Sequence, residues 1–156
     1  HYQNPKVITG CIPIWEDKVL LCKRAIEPRY GKWTLPAGFM ENHETTQQGA
    51  ARETMEEAEA EVSDLQFFGV FNIPHISQVY VMFYGQLVND YHASTYESLE
   101  TQLFSEQDIP WDELAFPVVH ESLKLFFAEK KQNNLSVHFG DIVRDQNNQV
   151  TITHYL

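Results

Sequence analysis

The stretch GKWTLPAGFMENHETTQQGAARETMEEAEA, residues 31–60, changes midway from a segment without periodicity to one with the pattern of an amphipathic helix. The part before the change, from about residue 27 to 44, is broken by proline and glycine and predicts a loop. Thr45 followed by Gln48 has the spacing of a capping box. We therefore predict that a helix begins at about Thr46 and ends near Glu59.

The predicted helix is crowded with negative charge, because five glutamates fall within positions 53–61. Ala51, Met55 and Ala58 recur at i, i+4 and i+7, and this spacing predicts the buried stripe. At about 100° per residue, three carboxylates share the opposite face: Glu53, Glu56 and Glu57. Such neighbours can hold a hard cation through oxygen, although a solvated acidic face is the alternative interpretation.

The same stretch resembles the signature of the Nudix hydrolases, G-x5-E-x7-R-E-U-x-E-E-x-G-U, where U is a bulky apolar residue. The fixed positions of that signature are occupied here by Gly38, Glu44, Arg52, Glu53, Glu56 and Glu57. Thr54, Glu59 and Ala60 depart from it. Because Glu59 replaces the glycine that usually caps a helix, we predict a helix that runs past Glu59 or ends without a left-handed residue there.

The resemblance implies hydrolysis of a nucleoside diphosphate linked to another group, with Mg²⁺ or Mn²⁺ between the anionic substrate and the acidic site. It implies that Glu53, Glu56 and Glu57 bind the metal, and that the backbone carbonyl of Gly38 can join them. Arg52 and Glu44 are expected to form an ion pair that orients Glu53. A surface ion pair without this role is the alternative.

A further carboxylate from outside the signature often acts as base or extra metal ligand in this family. Two residues fit, Glu97 and Glu100, and either can instead be solvated surface. We favour Glu97, which lies at the edge of the polar stretch 90–97. Strand alternation then directs Glu100 to the opposite face.

Side chains that hold the nucleotide are sought among aromatic residues, which stack on bases, and arginines, which bind phosphate. The candidates for substrate binding are Arg24, Arg29, Trp33, Phe39 and Tyr80. Tyr30 and Phe71 are further aromatic candidates, and ordinary core packing is the better interpretation for Phe71.

The resemblance extends over about residues 1–125, through HYQNPKV, KVLLCKRAIEPRYGKWTLPAGF and DIPWDELAFPVV, to a subgroup that acts on ADP-ribose, FAD or related dinucleotides. Members often carry a four-cysteine zinc ribbon before HYQNP, which this chain does not contain. NADH pyrophosphatases are an alternative, disfavoured because NIPHISQ replaces their SQPWPFP stretch. A non-catalytic nucleotide-sensing module is the alternative of another class, disfavoured because the Arg-Glu and Glu-Glu pairs of the signature are both kept.

Composition narrows the remaining classes. The chain has 156 residues, enough for one domain, and a net charge of −11, which argues against binding nucleic acid through its backbone. No apolar run is long enough to span a membrane. Cys11 and Cys22 lie singly in apolar segments, as free thiols in a reducing compartment do, so we expect a cytoplasmic protein. Related enzymes are often homodimers, and we expect this chain to be able to form a homodimer.

The remaining pattern predicts strands at 6–15, 18–25, 65–73, 77–88 and 98–104, a second helix at about 117–131, and a hairpin across Asn147-Asn148. This order predicts an α+β protein with the Nudix fold, a mixed β-sheet sandwiched between helices. We expect a single domain over 1–156, with about 133–156 as a hairpin-like extension.

Overall fold

The computed structural model describes residues 3–156, so the first two residues of the HYQNPKV stretch lie outside the described part. Two α-helices, three 3₁₀-helices of three residues each and a mixed sheet make up the regular structure of the described residues. The α-helices are α1 (Thr46–Ala58) and α2 (Pro117–Lys131). The strands are β1 (Lys6–Trp15), β2 (Lys18–Arg24), β3 (Trp33–Thr34), β4 (Ala37–Phe39), β5 (Val62–Ile73), β6 (Gln78–Leu87), β7 (Ser98–Phe104), β8 (His138–Arg144) and β9 (Val150–His154).

The sheet runs in the order β3-β2-β1-β6-β5-β8-β9, with β4 paired to β1 and β7 paired to β2. The β1–β6 and β5–β8 pairs are parallel, and the other pairs are antiparallel. Alternation along β1 separates the layers, since Cys11 packs beside Ala50 of α1 and Ile12 belongs to the core that includes Phe126 of α2. The predicted fold class, a mixed sheet between helices, is confirmed.

The buried face of α1 differs from the prediction by roughly one residue of rotation, about 100°. Met55 is 44% exposed, and the buried residues are Gly49, Ala50, Glu53, Thr54, Glu57 and Ala58. The reason is a close approach of α1 to β1, where a Cβ atom at Gly49 would lie 2.5 Å from the Thr9 hydroxyl oxygen. Only small side chains fit this gap, so the apolar but bulky Met55 faces solvent. Glu53 and Glu57 consequently belong to the buried face rather than to the face opposite it.

The ends of α1 confirm one prediction and contradict another. The capping box is present: the Thr45 hydroxyl accepts from the Gln48 N–H at 3.1 Å, and the Gln48 side chain accepts from the Thr45 N–H at 2.8 Å. At the other end, Glu59 has φ 49° and ψ 33°, and its N–H donates to the Met55 carbonyl at 2.9 Å. The prediction that no left-handed residue would stand there was wrong, because a glutamate takes the conformation that glycine adopts more readily.

The other elements lie close to their predicted bounds, and β7 and α2 match them. The structure adds the short strands β3 and β4 within the predicted loop. The hairpin predicted for the tail is present as β8 and β9, and β8 extends the sheet by pairing with β5. Two histidine–glutamate pairs join this hairpin to α2, His138 with Glu129 at 2.8 Å and His154 with Glu121 at 2.9 Å.

No helix of the described residues is long and apolar enough to cross a membrane.

Candidate active site

Three carboxyl groups meet at one edge of α1. One oxygen from each of Glu53, Glu57 and Glu97 lies within 4.8 Å of the other two. Glu53 and Glu57 are one helical turn apart, and Glu97 directly precedes β7. The fold therefore brings together two residues of the signature and one of the two candidates from outside it.

Strand β4 supports this cluster from behind. The Ala37 N–H donates to the Glu57 carboxylate at 3.0 Å. Gly38 lies against Glu53 so closely that a Cβ atom there would overlap the Glu53 carboxyl group. Position 38 therefore requires glycine, because a side chain there would collide with Glu53. This requirement does not depend on whether the Gly38 carbonyl binds a metal.

The cluster carries more negative charge than its surroundings compensate. Burial and the neighbouring Glu53 carboxyl raise the pKa of Glu57 well above its usual range, although the Ala37 N–H opposes this. Burial, followed by the charges of Glu53 and Glu56, also raises the pKa of Glu97. Carboxylate oxygens arranged in this way suit a hard divalent cation such as Mg²⁺ or Mn²⁺.

Arg52 links the cluster to the preceding loop. Its guanidinium donates to Glu44 at 2.8 and 3.0 Å, to Glu53 at 2.9 Å, to Glu56 at 3.0 Å and to the Phe39 carbonyl at 3.1 Å. These bonds from Arg52, together with the Glu41 N–H, lower the pKa of Glu44 to about 2. The predicted Glu44–Arg52 pair is confirmed, and Arg52 holds one oxygen of Glu53 directly.

Two other candidates for metal binding lie outside the cluster. Glu56 is 44% exposed on its side chain and bonds to Arg52. Glu100 lies opposite Lys23 across the β2–β7 ladder, and its carboxylate is 3.4 Å from the Lys23 ammonium. Glu53 and Glu57 lie against β4, whereas Glu56 is more exposed and shares the Arg52 Nη1 with Glu53, so the three glutamates do not share one solvent-facing surface.

A cleft of about 620 Å³ opens beside the cluster. Its floor crosses the sheet through Ile8, Tyr80, Ile73 and Ile142. Of the predicted substrate-binding residues, those that line the cleft are Arg24, Arg29, Phe39 and Tyr80. Trp33 does not line it: this residue is 8% exposed and packs edge-on against Phe104 at 5.0 Å between ring centroids.

The residues that line the cleft differ in how strongly existing contacts hold their side chains. The Arg24 Nε donates to the Pro28 carbonyl at 2.8 Å, and its guanidinium lies 5.0 Å from the Phe116 ring centroid. Burial raises the pKa of Tyr80 to about 12, so its hydroxyl stays protonated. Phe39 is exposed at the mouth, with the Lys6 ammonium 5.2 Å from its ring.

Sequence reasoning missed the part of the cleft that the C-terminal hairpin and the NIPHISQ stretch provide. These residues are Ile73, His75, Ile76, Gln78, Ile142, Arg144 and Val150. The hairpin residues are brought to the cleft by the parallel pairing of β5 with β8, a long-range contact that has no local pattern. The signal available in the sequence was Arg144, one of only four arginines in an acidic chain.

The fold, the acidic cluster and the adjoining cleft together define a hydrolase of the Nudix class. Residues 4–125 match the family model of the NUDIX domain, and the chain belongs to the Nudix hydrolase family. Members of this family generally depend on a divalent metal ion.

The chain is similar to a NUDIX hydrolase from Nitrosomonas europaea of known crystal structure. The two share 56% identity and a TM-score of 0.89, over 92% of this chain and 81% of the other. An ADP-ribose pyrophosphatase from Streptococcus suis shares the fold at 22% identity and a TM-score of 0.67, over 87% of this chain and 99% of the other.

Among curated proteins, the chain is 35% identical over 81 residues to the uncharacterized Nudix hydrolase YvcI of Bacillus subtilis, 49% of each chain. It is 29% identical over 122 residues to the NAD-capped RNA hydrolase NudC of Haemophilus influenzae, 70% of this chain and 44% of the relative. The chain thus spans about half the length of the curated relatives it matches.

Proposed function

We propose that this chain is a divalent-metal-dependent hydrolase that cleaves the pyrophosphate of a dinucleotide of the ADP-ribose or FAD type. The observation that carries the proposal is the meeting of the Glu53, Glu57 and Glu97 carboxyl groups at one end of a cleft with an apolar floor. An acidic end without a cation would repel a pyrophosphate, whereas the same end with a cation would bind it.

Glu53, Glu57 and Glu97 would hold Mg²⁺ or Mn²⁺, with Glu56 and the Gly38 carbonyl as the further ligands that the family pattern implies. When bound, the ion neutralises phosphate oxygens and lowers the pKa of a water molecule. Arg52, held by Glu44, keeps the Glu53 carboxylate in position.

Glu97 is our choice for the residue that takes the proton from the attacking water. One of its oxygens lies within 4.8 Å of oxygens of Glu53 and Glu57, which puts it beside a water molecule that a cation bound there would hold. It also stands on the loop before β7 rather than on α1, so it can adjust to the substrate independently of the helix.

The substrate class rests on the lining of the cleft. Arg24, on the strand beside Glu97, and Arg29 suit phosphate oxygens, while Phe39 and Tyr80 supply aromatic surface for a base. Charged groups at one end and apolar floor beyond it fit a pyrophosphate followed by a planar ring.

A second candidate is the pyrophosphate of NADH or a related NAD group. The similarity to the NAD-capped RNA hydrolase of Haemophilus influenzae favours it. Against it stands NIPHISQ, whose residues Ile73, His75, Ile76 and Gln78 line the cleft in place of the stretch typical of NADH pyrophosphatases.

The experiment is a substrate panel with product identification. The purified chain is incubated with ADP-ribose, FAD or NADH, each with Mg²⁺ or Mn²⁺, in water enriched in ¹⁸O. The products are separated, and their masses are measured by mass spectrometry. We expect AMP with a mononucleotide or ribose phosphate, and ¹⁸O in one phosphate product. If no compound of the panel is cleaved with either metal while the folded protein still binds nucleotide, the chain is a sensing module instead.

A further inference from the structure

The distribution of arginine in this chain is unusual. The sequence contains four arginines among 11 basic and 22 acidic residues, and all four lie at the cleft or its acidic end: Arg24, Arg29, Arg52 and Arg144. Arg52 is paired with four carboxylates. Within residues 3–156, the other three have no carboxylate within 4.0 Å, which is unexpected at a net charge of −11 unless they face an anionic ligand.

Arg144 lies on β8, at the far side of the sheet from β4, which contacts the acidic cluster. The floor between them crosses β4, β1, β6, β5 and β8, four strand spacings and roughly 19 Å between backbones. A group bound by Arg144 is therefore separate from a pyrophosphate bound at the carboxylates.

The acidic residues nearest in sequence to Arg144 are occupied by other partners. The Asp145 carboxylate accepts from the N–H groups of Asn147 and Gln149 at 2.8 and 3.0 Å. The Asp141 carboxylate accepts from the Tyr155 hydroxyl at 2.6 Å and from the Asn72 side chain at 3.0 Å. Neither acid neutralises the guanidinium, whose Nη1 instead donates to the Asn148 side-chain oxygen at 2.8 Å.

His75 adds a second donor at the same end of the cleft. Its Nδ1 accepts from the Arg144 N–H at 3.3 Å, so in the neutral ring the proton resides on Nε2. A guanidinium and an imidazole N–H at one end of a cleft form a set of donors for a group that carries negative charge and several acceptor oxygens. A phosphate ester has these properties.

We propose that Arg144, with His75 beside it, binds a phosphate ester on the part of the substrate that is remote from the cleaved pyrophosphate. The chain would then discriminate in favour of nucleotides with an additional phosphate on the adenosine ribose. This proposal rests on the proposed function for its substrate class and adds a specificity determinant from the C-terminal hairpin, outside the residues that match the family model.

The test uses two pairs of compounds, and the members of each pair differ by one phosphate. The first pair is ADP-ribose and ADP-ribose 2′-phosphate. The second pair is dephospho-coenzyme A and coenzyme A, which carries a 3′-phosphate. We expect kcat/KM to be about tenfold or more higher for the phosphorylated member of at least one pair, as for one charge-assisted bond. In Arg144→Gln this ratio falls to near one, through a higher KM for the phosphorylated member. Arg144→Lys retains part of the preference.

Two control variants separate binding from structure. Lys18→Gln removes a positive charge at the start of β2, outside the cleft lining, and should keep the ratio. Asn148→Gly removes the partner of Arg144 at a position with φ 64°, which glycine accepts, and should also keep the ratio. If Asn148→Gly reproduces the effect of Arg144→Gln, the arginine acts by holding the turn and the proposal is wrong.

Failure of this proposal can be told apart from failure of the proposed function. Hydrolysis of both members of each pair with no preference for the phosphorylated one, or a preference that survives Arg144→Gln, would overturn the role of Arg144 alone. Calorimetry with AMP and adenosine 2′,5′- and 3′,5′-bisphosphate measures the same discrimination without turnover. We expect tighter binding of at least one bisphosphate by the wild type, lost in Arg144→Gln, and equal binding of all three by the wild type would refute it.

Discussion

Glu57 combines burial with charge in a way that makes single-residue experiments informative. Its side chain is largely enclosed by α1 and β4, and one of its oxygens is already bonded to the Ala37 N–H. A carboxylate in such surroundings destabilises a protein unless something positive compensates it. Glu57 is therefore expected to contribute more to metal binding than to the free energy of unfolding of the metal-free protein.

Removing charge at the signature should abolish catalysis and leave the fold intact. We expect Glu56→Gln and Glu57→Gln each to lower kcat by a hundredfold or more, close to 3 kcal/mol of barrier. Glutamine at 57 can still accept from the Ala37 N–H, and Glu56 is exposed, so the circular dichroism spectrum should be unchanged and Tm without metal should not fall. Glu61→Gln, at an exposed position beyond the helix, is the matched control and should keep the wild-type rate. Wild-type turnover in both signature variants would rule out the metal-site assignment.

Replacing Glu97, just before β7, and replacing Glu100, within β7, should have very different effects on kcat. Glu97 lies with Glu53 and Glu57, whereas Glu100 lies outside that cluster and pairs with Lys23 across the β2–β7 ladder. We expect Glu97→Gln to reduce kcat strongly, with a smaller effect on the metal concentration that gives half-maximal rate, and Glu100→Gln to change kcat less than twofold. Steady-state rates at varied metal concentration measure both quantities. A large loss in Glu100→Gln with normal turnover in Glu97→Gln would reverse the assignment.

At the scale of elements, most of the fold follows from local pattern, because capping residues and apolar periodicity specify α1, α2 and the long strands without reference to distant residues. The orientation of α1 does not follow, since it depends on the contact between Gly49 and Thr9. Strands of two and three residues such as β3 and β4 carry too little pattern to be recognised, although β4 lies directly behind the carboxylates. The signature glutamates were identifiable by spacing, whereas the hairpin wall of the cleft depends on pairing with β5.

The end of α1 offers a direct measurement of backbone strain. Glu59 adopts φ 49°, which costs a residue with a Cβ atom about 1 kcal/mol relative to glycine. Glu59→Gly and Glu59→Ala both remove the bond from the Tyr91 hydroxyl, so their difference isolates the backbone. We expect the glycine variant to have the higher free energy of unfolding by about 1 kcal/mol in urea titrations. Equal stability of the two variants would mean that the helix ends differently in solution.

At the scale of the whole molecule, three of the 22 acidic residues meet where a cation can bind, and the others are spread along the chain. Net charge alone, at −11, would hinder an anionic substrate, and the arginines at the cleft offset this only locally. A bound dication would lower both the repulsion within the cluster and that between protein and substrate.

Metal binding should therefore be visible as stability, independently of any reaction. At about a hundredfold excess over Kd, a ligand adds about 2.7 kcal/mol to the free energy of unfolding. For a chain of this size we expect Mn²⁺ or Mg²⁺ to raise Tm by roughly 5 to 10 °C. Glu57→Gln should lose most of this increase, and chelation should reverse it. An identical increase in the variant would place the bound metal elsewhere.

The contact between Gly38 and Glu53 has a consequence for entropy. A long glutamate side chain normally samples many rotamers, and confining one costs on the order of 1–2 kcal/mol. Here the backbone of β4 lies behind the Glu53 carboxyl group and the Arg52 guanidinium holds its front, so few rotamers remain before anything binds. The disorder that an ion would otherwise have to remove has already been lost when the chain folds. Because position 38 has no side chain, the Glu53 carboxyl group is held rigidly against β4. The affinity of the site for a cation therefore depends in part on a residue that contributes no side-chain atom.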